Sequence, residues 1–407
     1  MHCTRIINED LFWVGSEDRR LALFENLFPI PRGIAYNSYL IKDEKNVLID
    51  TVDYSVGRQF LENLKYLLKD ENLDYLIINH MEPDHCSLIE ELTYKYPEMK
   101  IICNNQTIKM LKQFYNFDVD SKVEIVKEGQ TFKTGKHEFQ FIMAPMVHWP
   151  EVMVTYDITT KTLFSADGFG SFGSLNGNLF NDDVDYDKDW LPDARRYYTN
   201  IVGKYGPQVQ NLLKKASSLD IQMICPLHGL IWRSNLPYIL DKYDKWSRYE
   251  PEEHSVLLIY SSVYGNTENV VNTLSNYLGE NGIKNIAVYD SSNTDVSYLV
   301  SESFKYSNIV IAATTYNLGL FPAIEHYLLD IKRQNLQNRT ISIIENSTWV
   351  PGIVSKEINK ILSEMKGIVV LKNSFSIKSS AKDNEFDYIK SIGNEIIDNL
   401  NNNKNGH

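Results

Sequence analysis

The chain has 407 residues, of which 43% are hydrophobic and 23% are charged, and its net charge is −12. This length predicts two or three globular domains, and the acidic balance disfavours nucleic acid as a partner, because a phosphate backbone attracts basic surfaces. No apolar run approaches the roughly 20 residues that cross a bilayer, and no signal peptide begins the chain. The four cysteines form no C-x-x-C pair, so we expect a cytoplasmic protein without disulfides or membrane association.

Six short apolar runs occur at close intervals in the first 227 residues. They read KNVLID, LDYLIIN, MKIICN, FQFIMAP, KTLFSAD and IQMICPL. Short runs that are rich in Ile, Val and Phe and are bounded by polar residues are typical of buried strands. The first half of the chain is therefore predicted to be a sheet-rich α/β domain.

A charged, proline-containing segment over residues 242–254 precedes a change of pattern. We place the domain boundary in this segment, which gives a first domain of residues 1–247 and a second domain of residues 248–407. In the second domain the strand-like runs SVLLIY, NIAVYD, NIVIAAT and RTISIIE alternate with helical patterns. Alternation of this kind predicts a doubly wound parallel sheet.

Three helices are predicted between these strands, over residues 267–278, near residues 298–304 and over residues 323–332. Apolar residues at helical spacing mark one face of the first of them. Gly279 follows that face directly, and glycine is the residue that most often ends a helix. We therefore expect the first helix to stop at Gly279.

Potential metal ligands follow the ends of four apolar runs in the first domain. The second run is followed within six residues by His80, Glu82, Asp84 and His85, and three later runs are followed by His148, Asp167 and His228. Because the fold brings together loops at one edge of a sheet, these seven side chains are predicted to form one site. Four imidazoles and three carboxylates exceed the needs of one tetrahedral zinc and suit two adjacent metals. Nitrogen and oxygen donors without thiolate favour iron or manganese, and we predict iron.

Each of these residues also has a simpler interpretation when it is taken alone. A histidine at a strand end is more often a polar rim residue, Asp167 before GFGS fits a turn, and Glu82 before a proline fits a helix start. The combination of seven ligand types favours the metal site. Trp149 and Tyr36 are weaker candidates for packing beside the metals, and Cys86 is assigned to packing. The remaining histidines are assigned to surface or helix positions: His2, His137, His254, His326 and His407.

The loop SSVYGNTE lies between the first strand and the first helix of the second domain. Its hydroxyl groups, its glycine and the amides of the helix N-terminus suit a phosphate monoester. No lysine follows the glycine and no G-x-G-x-x-G pattern is present, so the loop fits neither a nucleoside triphosphate nor a dinucleotide. An ordinary turn between a strand and a helix is the simpler alternative.

Two further loops, TTYNLGLFP and NSTWVPG, follow later strands of the second domain. All three loops are predicted at the carboxyl edge of the sheet, where ligands of open α/β folds bind. Tyr316 and Trp349 offer aromatic surfaces for a flat ring. The candidate mononucleotide-binding residues are Ser261, Ser262, Val263, Tyr264, Gly265, Asn266, Thr267, Thr314, Thr315, Tyr316, Asn317, Leu318, Gly319, Ser347, Thr348, Trp349, Val350, Pro351 and Gly352.

The order His-x-Glu-x-Asp-His, followed by His, Asp and His, resembles the metallo-β-lactamase fold, an αββα sandwich. Glu82 stands where the zinc hydrolases of that fold carry a second histidine. This replacement of histidine by glutamate resembles the diiron branch of the fold. The resemblance implies that one iron is held by His80, Glu82 and His148, the other by Asp84, His85 and His228, and that Asp167 bridges them. Family members differ in whether the histidine at the position of His85 binds metal.

The second domain resembles flavodoxin, and the two halves together resemble the flavodiiron proteins, also called A-type flavoproteins, over about residues 4–398. This resemblance implies FMN and a diiron centre of two Fe ions as cofactors. It implies O2 reduction to water, NO reduction to N2O, or both, in a head-to-tail homodimer or a dimer of dimers. The C-x-x-C pairs of an appended rubredoxin module are not found, so we expect a separate electron donor such as rubredoxin or a reduced deazaflavin.

Two other functions are compatible with the same motifs. The first is a dizinc hydrolase of the metallo-β-lactamase fold with a flavodoxin-like regulatory domain, which bound iron with redox turnover would exclude. The second is a metal-free flavin electron shuttle, which would keep its activity after all metal is removed.

Overall fold

The computed structural model describes residues 1–404, and it divides the chain into two compact units. The first unit comprises Met1–Tyr198 and Pro207–Asp244, and the second comprises Thr199–Gly206 and the chain from Lys245 onward. The second unit thus starts three residues before the predicted boundary, and it also includes a short segment from inside the first predicted domain. His407 lies outside the described residues.

The first unit contains strands that form two sheets and two short ribbons. In chain order they are β1 (Arg5–Ile6), β2 (Leu11–Trp13), β3 (Ser16–Asp18), β4 (Leu23–Phe24), β5 (Phe28–Pro29), β6 (Ile34–Tyr36), β7 (Tyr39–Ile41), β8 (Val47–Ile49), β9 (Tyr75–Ile77), β10 (Lys100–Cys103), β11 (Val123–Ile125), β12 (Thr131–Lys133), β13 (Glu138–Met143), β14 (Met153–Asp157), β15 (Thr162–Phe164) and β16 (Met223–Cys225). The six predicted apolar runs form β8, β9, β10, β13, β15 and β16, as expected.

The α-helices of the first half of the chain lie between these strands or after them. They are α1 (Gly57–Leu68), α2 (Pro83–Cys86), α3 (Ile89–Lys95), α4 (Asn105–Phe114), α5 (Val119–Lys122), α6 (Tyr186–Asp189), α7 (Leu191–Tyr197), α8 (Gly206–Ala216) and α9 (Leu236–Ser247). α1 is amphipathic, and its Phe60, Leu64 and Leu68 are fully buried. Helices of this kind cover a sheet with their apolar face.

The larger sheet has the spatial order β1-β2-β7-β8-β9-β10-β11, and the smaller sheet has the order β12 to β16. One apolar cluster contains buried residues of both sheets, among them Ile77 and Ile102 from the larger sheet and Phe141 and Phe164 from the smaller. Because the two sheets share this core, they pack face to face as in a sandwich. The predicted metallo-β-lactamase-like αββα sandwich is confirmed.

The second unit alternates strands and helices. They are β17 (Glu253–Tyr260), α10 (Asn266–Glu280), β18 (Ala287–Asp290), α11 (Val296–Lys305), β19 (Tyr306–Thr314), α12 (Pro322–Arg333), β20 (Arg339–Asn346), α13 (Ile353–Leu362), β21 (Ile368–Val370), β22 (Phe375–Ile377) and α14 (Phe386–Lys404). All strand pairs are parallel, in the order β18-β17-β19-β20-β21, and β22 also pairs with β20. This is the flavodoxin order 2-1-3-4-5, which confirms the predicted doubly wound sheet.

Both faces of this sheet are covered. Leu257 and Ile259 of β17 belong to one apolar cluster, whereas Val256 and Leu258 belong to another. Successive strand residues point to opposite faces, so the alternation places one core on each side.

The first helix of the second unit extends further than predicted. α10 includes Gly279 and runs to Glu280. The glycine with a left-handed backbone is Gly282, with φ +85°. The expected stop at Gly279 is wrong, because the residue that needs positive φ comes three positions later.

The cysteines and the lengths of the helices were considered together in the sequence analysis. All four cysteines are free; Cys3 is exposed, and Cys86, Cys103 and Cys225 are buried. Over residues 1–404, we find no helix whose length and hydropathy would let it cross a bilayer.

Candidate metal centre and nucleotide loops

The seven predicted metal ligands come together in the first unit, at the carboxyl ends of β9, β13, β15 and β16 and on the short helix α2. They form two groups, and within each group one ligand atom per residue lies within 4.8 Å of the others. The first group contains His80, Glu82, His148 and Asp167, and the second contains Asp84, His85 and His228. None of the seven residues is more than 9% exposed.

In the first group four ligand atoms surround one point. His148 Nε2 lies 3.0 Å from both Glu82 Oε2 and Asp167 Oδ2. His80 Nε2 lies 3.3 Å from Glu82 Oε2, 3.5 Å from Asp167 Oδ2 and 3.4 Å from His148 Nε2. Separations of this size are expected between atoms that share one metal at about 2.1 Å.

The second group uses the other oxygen of Asp167. Asp167 Oδ1 lies 3.1 Å from His85 Nε2 and 3.7 Å from His228 Nε2. Asp84 Oδ2 lies 3.4 Å from His85 Nε2 and 3.2 Å from His228 Nε2. Asp167 therefore presents one carboxylate oxygen to each group, which is the arrangement that a bridging ligand requires.

Several buried polar atoms of the site have no hydrogen-bond partner in the protein. They are both carboxylate oxygens of Asp84, both ring nitrogens of His85, Oδ1 of Asp167 and Nε2 of His228. An unsatisfied buried polar atom costs about 1–3 kcal/mol, so a cluster of them indicates a missing partner. Carboxylate and imidazole donors without thiolate fit a pair of iron ions.

Outer hydrogen bonds orient two of the histidines. His80 Nδ1 donates to Glu151 Oε1 at 2.8 Å, and His228 Nδ1 donates to the carbonyl oxygen of Ala35 at 2.9 Å. When Nδ1 carries the proton, the lone pair of Nε2 is free for a metal, and it points into the site here. Glu151 was not among the predicted site residues, although its position three residues after His148 is a local signal.

A second buried carboxylate fixes the loop after β9. Asp50 accepts hydrogen bonds from the backbone N–H of Asn79 at 2.7 Å, from Asn79 Nδ2 at 3.0 Å and from the backbone N–H of His80 at 3.2 Å. Complete burial raises the pKa of Asp50 to about 6, against the opposing effects of His85 and these bonds. Asp50 thus holds the chain that carries the first ligand, a role the sequence pattern did not indicate.

The carboxylates of the site favour the protonated form of the imidazole beside them. Burial lowers the pKa of His148, but its hydrogen bonds to Asp167 and Glu82 outweigh burial and raise the pKa to about 9. Burial raises the pKa of Glu82, but hydrogen bonds from His148 and His80 outweigh it, so the pKa of Glu82 is lowered. Metal binding therefore has to displace protons, which makes the metal affinity depend on pH.

Aromatic rings surround the two groups. Phe24, Tyr36 and Tyr197 lie with ring centroids 5.5 Å, 5.7 Å and 5.4 Å from that of His228. The Trp149 ring centroid lies 5.4 Å from that of His80. Both aromatic candidates from the sequence, Trp149 and Tyr36, are therefore beside the site. Rings in this position exclude water from the ligand atoms.

Among residues 1–404, the other histidines are not part of either ligand group. His2 and His326 are exposed, and His326 lies on α12, as expected. The prediction for His137 is wrong, because its ring is fully buried. Asp157 Oδ2 accepts a hydrogen bond from His137 Nδ1 at 2.7 Å, which offsets the cost of burying the imidazole. The thiol of Cys86 donates to the carbonyl oxygen of Met81 at 3.2 Å.

In the second unit, the three predicted nucleotide loops follow β17, β19 and β20, and Asn346 connects them. Its Nδ2 donates to Thr267 Oγ1 at 3.2 Å and to the carbonyl oxygen of Ser379 at 3.0 Å. Its carbonyl oxygen accepts from the backbone N–H of Thr315 at 2.9 Å. Ser379 belongs to a fourth segment at this edge, after β22, that the sequence analysis did not include.

The loops have the features of a ligand surface. The hydroxyl oxygens of Ser262 and Thr315 are buried and lack a hydrogen-bond partner. Tyr264 is 90% exposed and Trp349 is 76% exposed. Leu318 has φ +60°, a conformation that is strained for a residue with a Cβ atom. Exposed aromatic rings beside unsatisfied hydroxyl groups suit a ligand that has a flat ring and a phosphate.

The fold and these two sites define a class of two-domain α/β proteins. One domain is a β-lactamase-type sandwich with a candidate paired-metal site, and the other is a flavodoxin-like sheet with a candidate mononucleotide site. Residues 34–229 match the family described as ODP family beta lactamase. The anaerobic nitric oxide reductase flavorubredoxin of Escherichia coli O1:K1 is 28% identical over 358 residues, which cover 86% of this chain and 74% of that protein.

Solved structures give the same result over nearly the whole chain. The rubredoxin oxygen:oxidoreductase of Desulfovibrio gigas has a TM-score of 0.90 and 25% identity, and the match covers 98% of this chain and 99% of that one. A mutant of the flavo di-iron protein of Thermotoga maritima has a TM-score of 0.88 and 26% identity, with 98% of each chain covered. The chain is a homologue of the flavorubredoxins and flavodiiron proteins, which confirms the resemblance seen in the sequence.

Proposed function

We propose that this protein is a flavodiiron oxidoreductase that passes electrons from FMN to a diiron centre at which O2 is reduced to water, NO to N2O, or both. The observation that carries the proposal is the placement of Asp167, whose two oxygens face two separate groups of buried ligands. The names of the relatives support it, since one is a nitric oxide reductase and another an oxygen oxidoreductase.

We assign a role to each of the seven residues on the basis of the family resemblance and the two ligand groups. His80, Glu82 and His148 would hold one iron, and Asp84, His85 and His228 would hold the other, with Asp167 as the bridge. A ferrous pair supplies the electrons and the Lewis acidity for reduction of a diatomic molecule.

Residues around the ligands support metal binding in two ways. Glu151 and the carbonyl oxygen of Ala35 keep the proton of two imidazoles on Nδ1, so that Nε2 is available for metal. The rings of Phe24, Tyr197 and Trp149 pack against His228 and His80 and shield their ligand atoms from water. Both O2 and NO are small and apolar, so such surroundings admit them and exclude bulk water.

We assign FMN to the loops over residues 261–267, 314–319 and 347–352. The first loop offers one phosphate cradle at the start of α10, which suits a monophosphate rather than the pyrophosphate of FAD. Acid release of the bound flavin followed by chromatography tests the assignment. Recovery of FAD would contradict it.

The electron donor is proposed to be a separate protein or cofactor, such as rubredoxin or a reduced deazaflavin. Rubredoxin appears in the name of the Desulfovibrio gigas relative, which supports the first choice. The cytoplasm is the proposed location, because its reducing conditions suit four free cysteines.

Anaerobic turnover of the reduced, iron-loaded protein with O2 and with NO in parallel tests the function directly. Consumption of either gas at rates that depend on iron supports the proposal, and the ratio of the two rates gives the substrate preference. Tightly bound zinc without consumption of either gas would indicate the hydrolase instead. Flavin-linked electron transfer that survives removal of all metal, without gas consumption, would indicate the electron shuttle.

We further propose a head-to-tail homodimer, alone or paired as a dimer of dimers, in which FMN of one chain serves the diiron centre of its partner. A two-fold interface creates two equivalent transfer routes at once. Subunit mixing tests this arrangement. One parent lacks iron through His80→Ala with His228→Ala, and the other lacks flavin through Gly265→Val with Thr267→Leu.

A mixed dimer of these two parents contains one intact FMN site and one intact diiron site on different chains. If transfer crosses the interface, activity should recover from two nearly inactive parents. Mass measurement of the mixed species provides the control for exchange. Confirmed exchange with activity at the parental level would show that electrons pass within one chain.

A further inference from the structure

Glu345 is a charged residue within an otherwise apolar strand end. It is the last residue but one of β20, in the run ISIIE, and it is 2% exposed. β20 lies inside the sheet, between β19 and β21, and the loop over residues 346–352 follows directly. A carboxylate in such a position is costly to bury unless it is well hydrogen-bonded, so it calls for a specific role.

The carboxylate is held by three donors from two elements. It accepts hydrogen bonds from the backbone N–H of Gly352, from the backbone N–H of Ser355 at 2.9 Å and from Ser376 Oγ at 3.0 Å. Burial raises the pKa of Glu345, but the hydrogen bonds from Ser355 and Gly352 outweigh it and lower the pKa. The group is therefore ionised at neutral pH, and it neutralises the positive end of α13.

These contacts close the loop over residues 346–352. Glu345 precedes the loop, and Gly352, which it binds, ends the loop with φ +92°. Inside the loop, the backbone N–H of Val350 donates to Ser347 Oγ at 3.0 Å. The backbone is thus fixed at both ends and across its middle, whereas the Trp349 ring stays exposed.

We propose that Glu345 is a positioning residue for the flavin. Glu345 holds the loop over residues 346–352 in the conformation that presents Trp349, and its charge disfavours the anionic reduced form of FMN. The inference rests on the FMN binding proposed above. Two electrons and one proton convert neutral oxidised FMN into a hydroquinone with an anionic ring. A fixed carboxylate beside the loop, in a low-dielectric environment, repels that negative charge. Charge near the flavin ring changes the reduction potential of the flavin.

Two substitutions separate the charge from the loop closure. Glu345→Gln keeps the size and one acceptor but removes the charge, so reduced FMN should bind about tenfold more tightly relative to oxidised FMN. For a two-electron couple this is about 30 mV in the midpoint potential. Glu345→Ala removes all three hydrogen bonds, so oxidised FMN should bind at least about tenfold more weakly.

Three measurements on the full-length protein test these expectations. Quenching of FMN fluorescence gives the affinity of the flavin-free protein, a redox titration gives the midpoint potential, and hydrogen exchange reports the amides of Gly352 and Ser355. Glu357→Gln, which removes a carboxylate from α13 without touching the loop, is the matched control. It should leave the FMN affinity and the amide exchange rates within about twofold of the parent and the midpoint potential unchanged.

The outcomes are distinct. If the parent protein does not bind FMN, the proposed flavin site fails and this inference fails with it. If the parent binds FMN and both Glu345 variants match the Glu357→Gln control in affinity and potential, the inference alone is overturned. If Glu345→Ala does not fold, Ser376→Ala replaces it as the test of loop closure, because it removes one of the three donors and keeps the charge, so it should weaken binding of oxidised FMN. An unchanged FMN affinity in Ser376→Ala together with an unchanged potential in Glu345→Gln would then overturn the inference.

Discussion

His80 donates a hydrogen bond from Nδ1 to Oε1 of Glu151 at 2.8 Å, and both side chains are buried. The same oxygen accepts from the backbone N–H of Met81 at 2.8 Å. Glu151→Ala should therefore weaken iron binding about 10- to 100-fold, the usual effect of removing a partner of a metal-binding histidine. Iron retention against a series of chelators measures this. Glu124→Ala, on the exposed face of β11, is the control, and equal retention in both variants would contradict the prediction.

His85 is predicted to bind only the second metal. Its Nε2 lies 3.1 Å from Asp167 Oδ1, and it is not a member of the first ligand group. His85→Ala should lower the iron content from about two ions per chain to about one, because the first group keeps all its ligands. Metal analysis of the purified variant decides this. Two irons per chain in the variant would show that His85 is not a ligand.

Asp167 is predicted to be needed for both metals. Since it presents one oxygen to each group, Asp167→Ala should lose both irons and reduce gas consumption by at least about 100-fold. The flavin should remain bound, because the three nucleotide loops belong to the other unit. Iron analysis and the flavin absorbance spectrum measure the two effects in one sample. Asp70→Ala, on the surface, is the control, and simultaneous loss of flavin would contradict the assignment of the two sites to separate domains.

Thr267 and Thr273 form a matched pair on α10. Thr267 is buried and its Oγ1 accepts from Asn346, whereas Thr273 Oγ1 bonds back to the carbonyl oxygen of Asn269 at 2.8 Å. Thr267→Leu should weaken FMN binding at least about tenfold, because it crowds the phosphate cradle and breaks the link between loops. Thr273→Leu should stay within about twofold. Fluorescence titration gives both affinities, and equal effects would mean that the loop is an ordinary turn.

His137 is predicted to make the stability of the first unit depend on pH. Its Nδ1 bonds to Asp157 Oδ2 at 2.7 Å, and its Nε2 lies 3.4 Å from Asp10 Oδ2. Burial lowers the pKa of His137, but these carboxylates and Asp43 outweigh it and raise the pKa above the usual 6.5. The resulting stabilisation is complete below the unfolded-state pKa and is lost as the pH rises through the raised pKa.

His137→Gln should therefore lower the thermal midpoint more at about pH 6 than at about pH 9. The surface variant His2→Gln, measured at both values, provides the baseline. If the thermal midpoints of the parent and His137→Gln differ by the same amount at both pH values, the imidazole is not charged in the folded protein.

The sequence by itself determined the elements and the ligand types. The apolar runs that became β9, β13, β15 and β16 are each followed by a ligand, and the fold brings the loops after these strands together. β9 belongs to the larger sheet and the other three strands to the smaller one. The same reasoning placed the loops after β17, β19 and β20 at the edge of the second sheet. These inferences succeeded because strand formation and loop position depend on local patterns of apolar and polar residues.

Only the tertiary structure decided which polar groups support the sites. Asp50 and Ser379 contact site residues from distant parts of the chain, and no spacing in the sequence connects them. Glu151 follows His148 closely, but the histidine that it binds is His80, 71 residues away. The burial of His137 and the inclusion of residues 199–206 in the second unit were likewise not predictable. A buried polar side chain is stable only when packing brings its hydrogen-bond partners to it, and those partners are selected by the whole fold rather than by neighbouring residues.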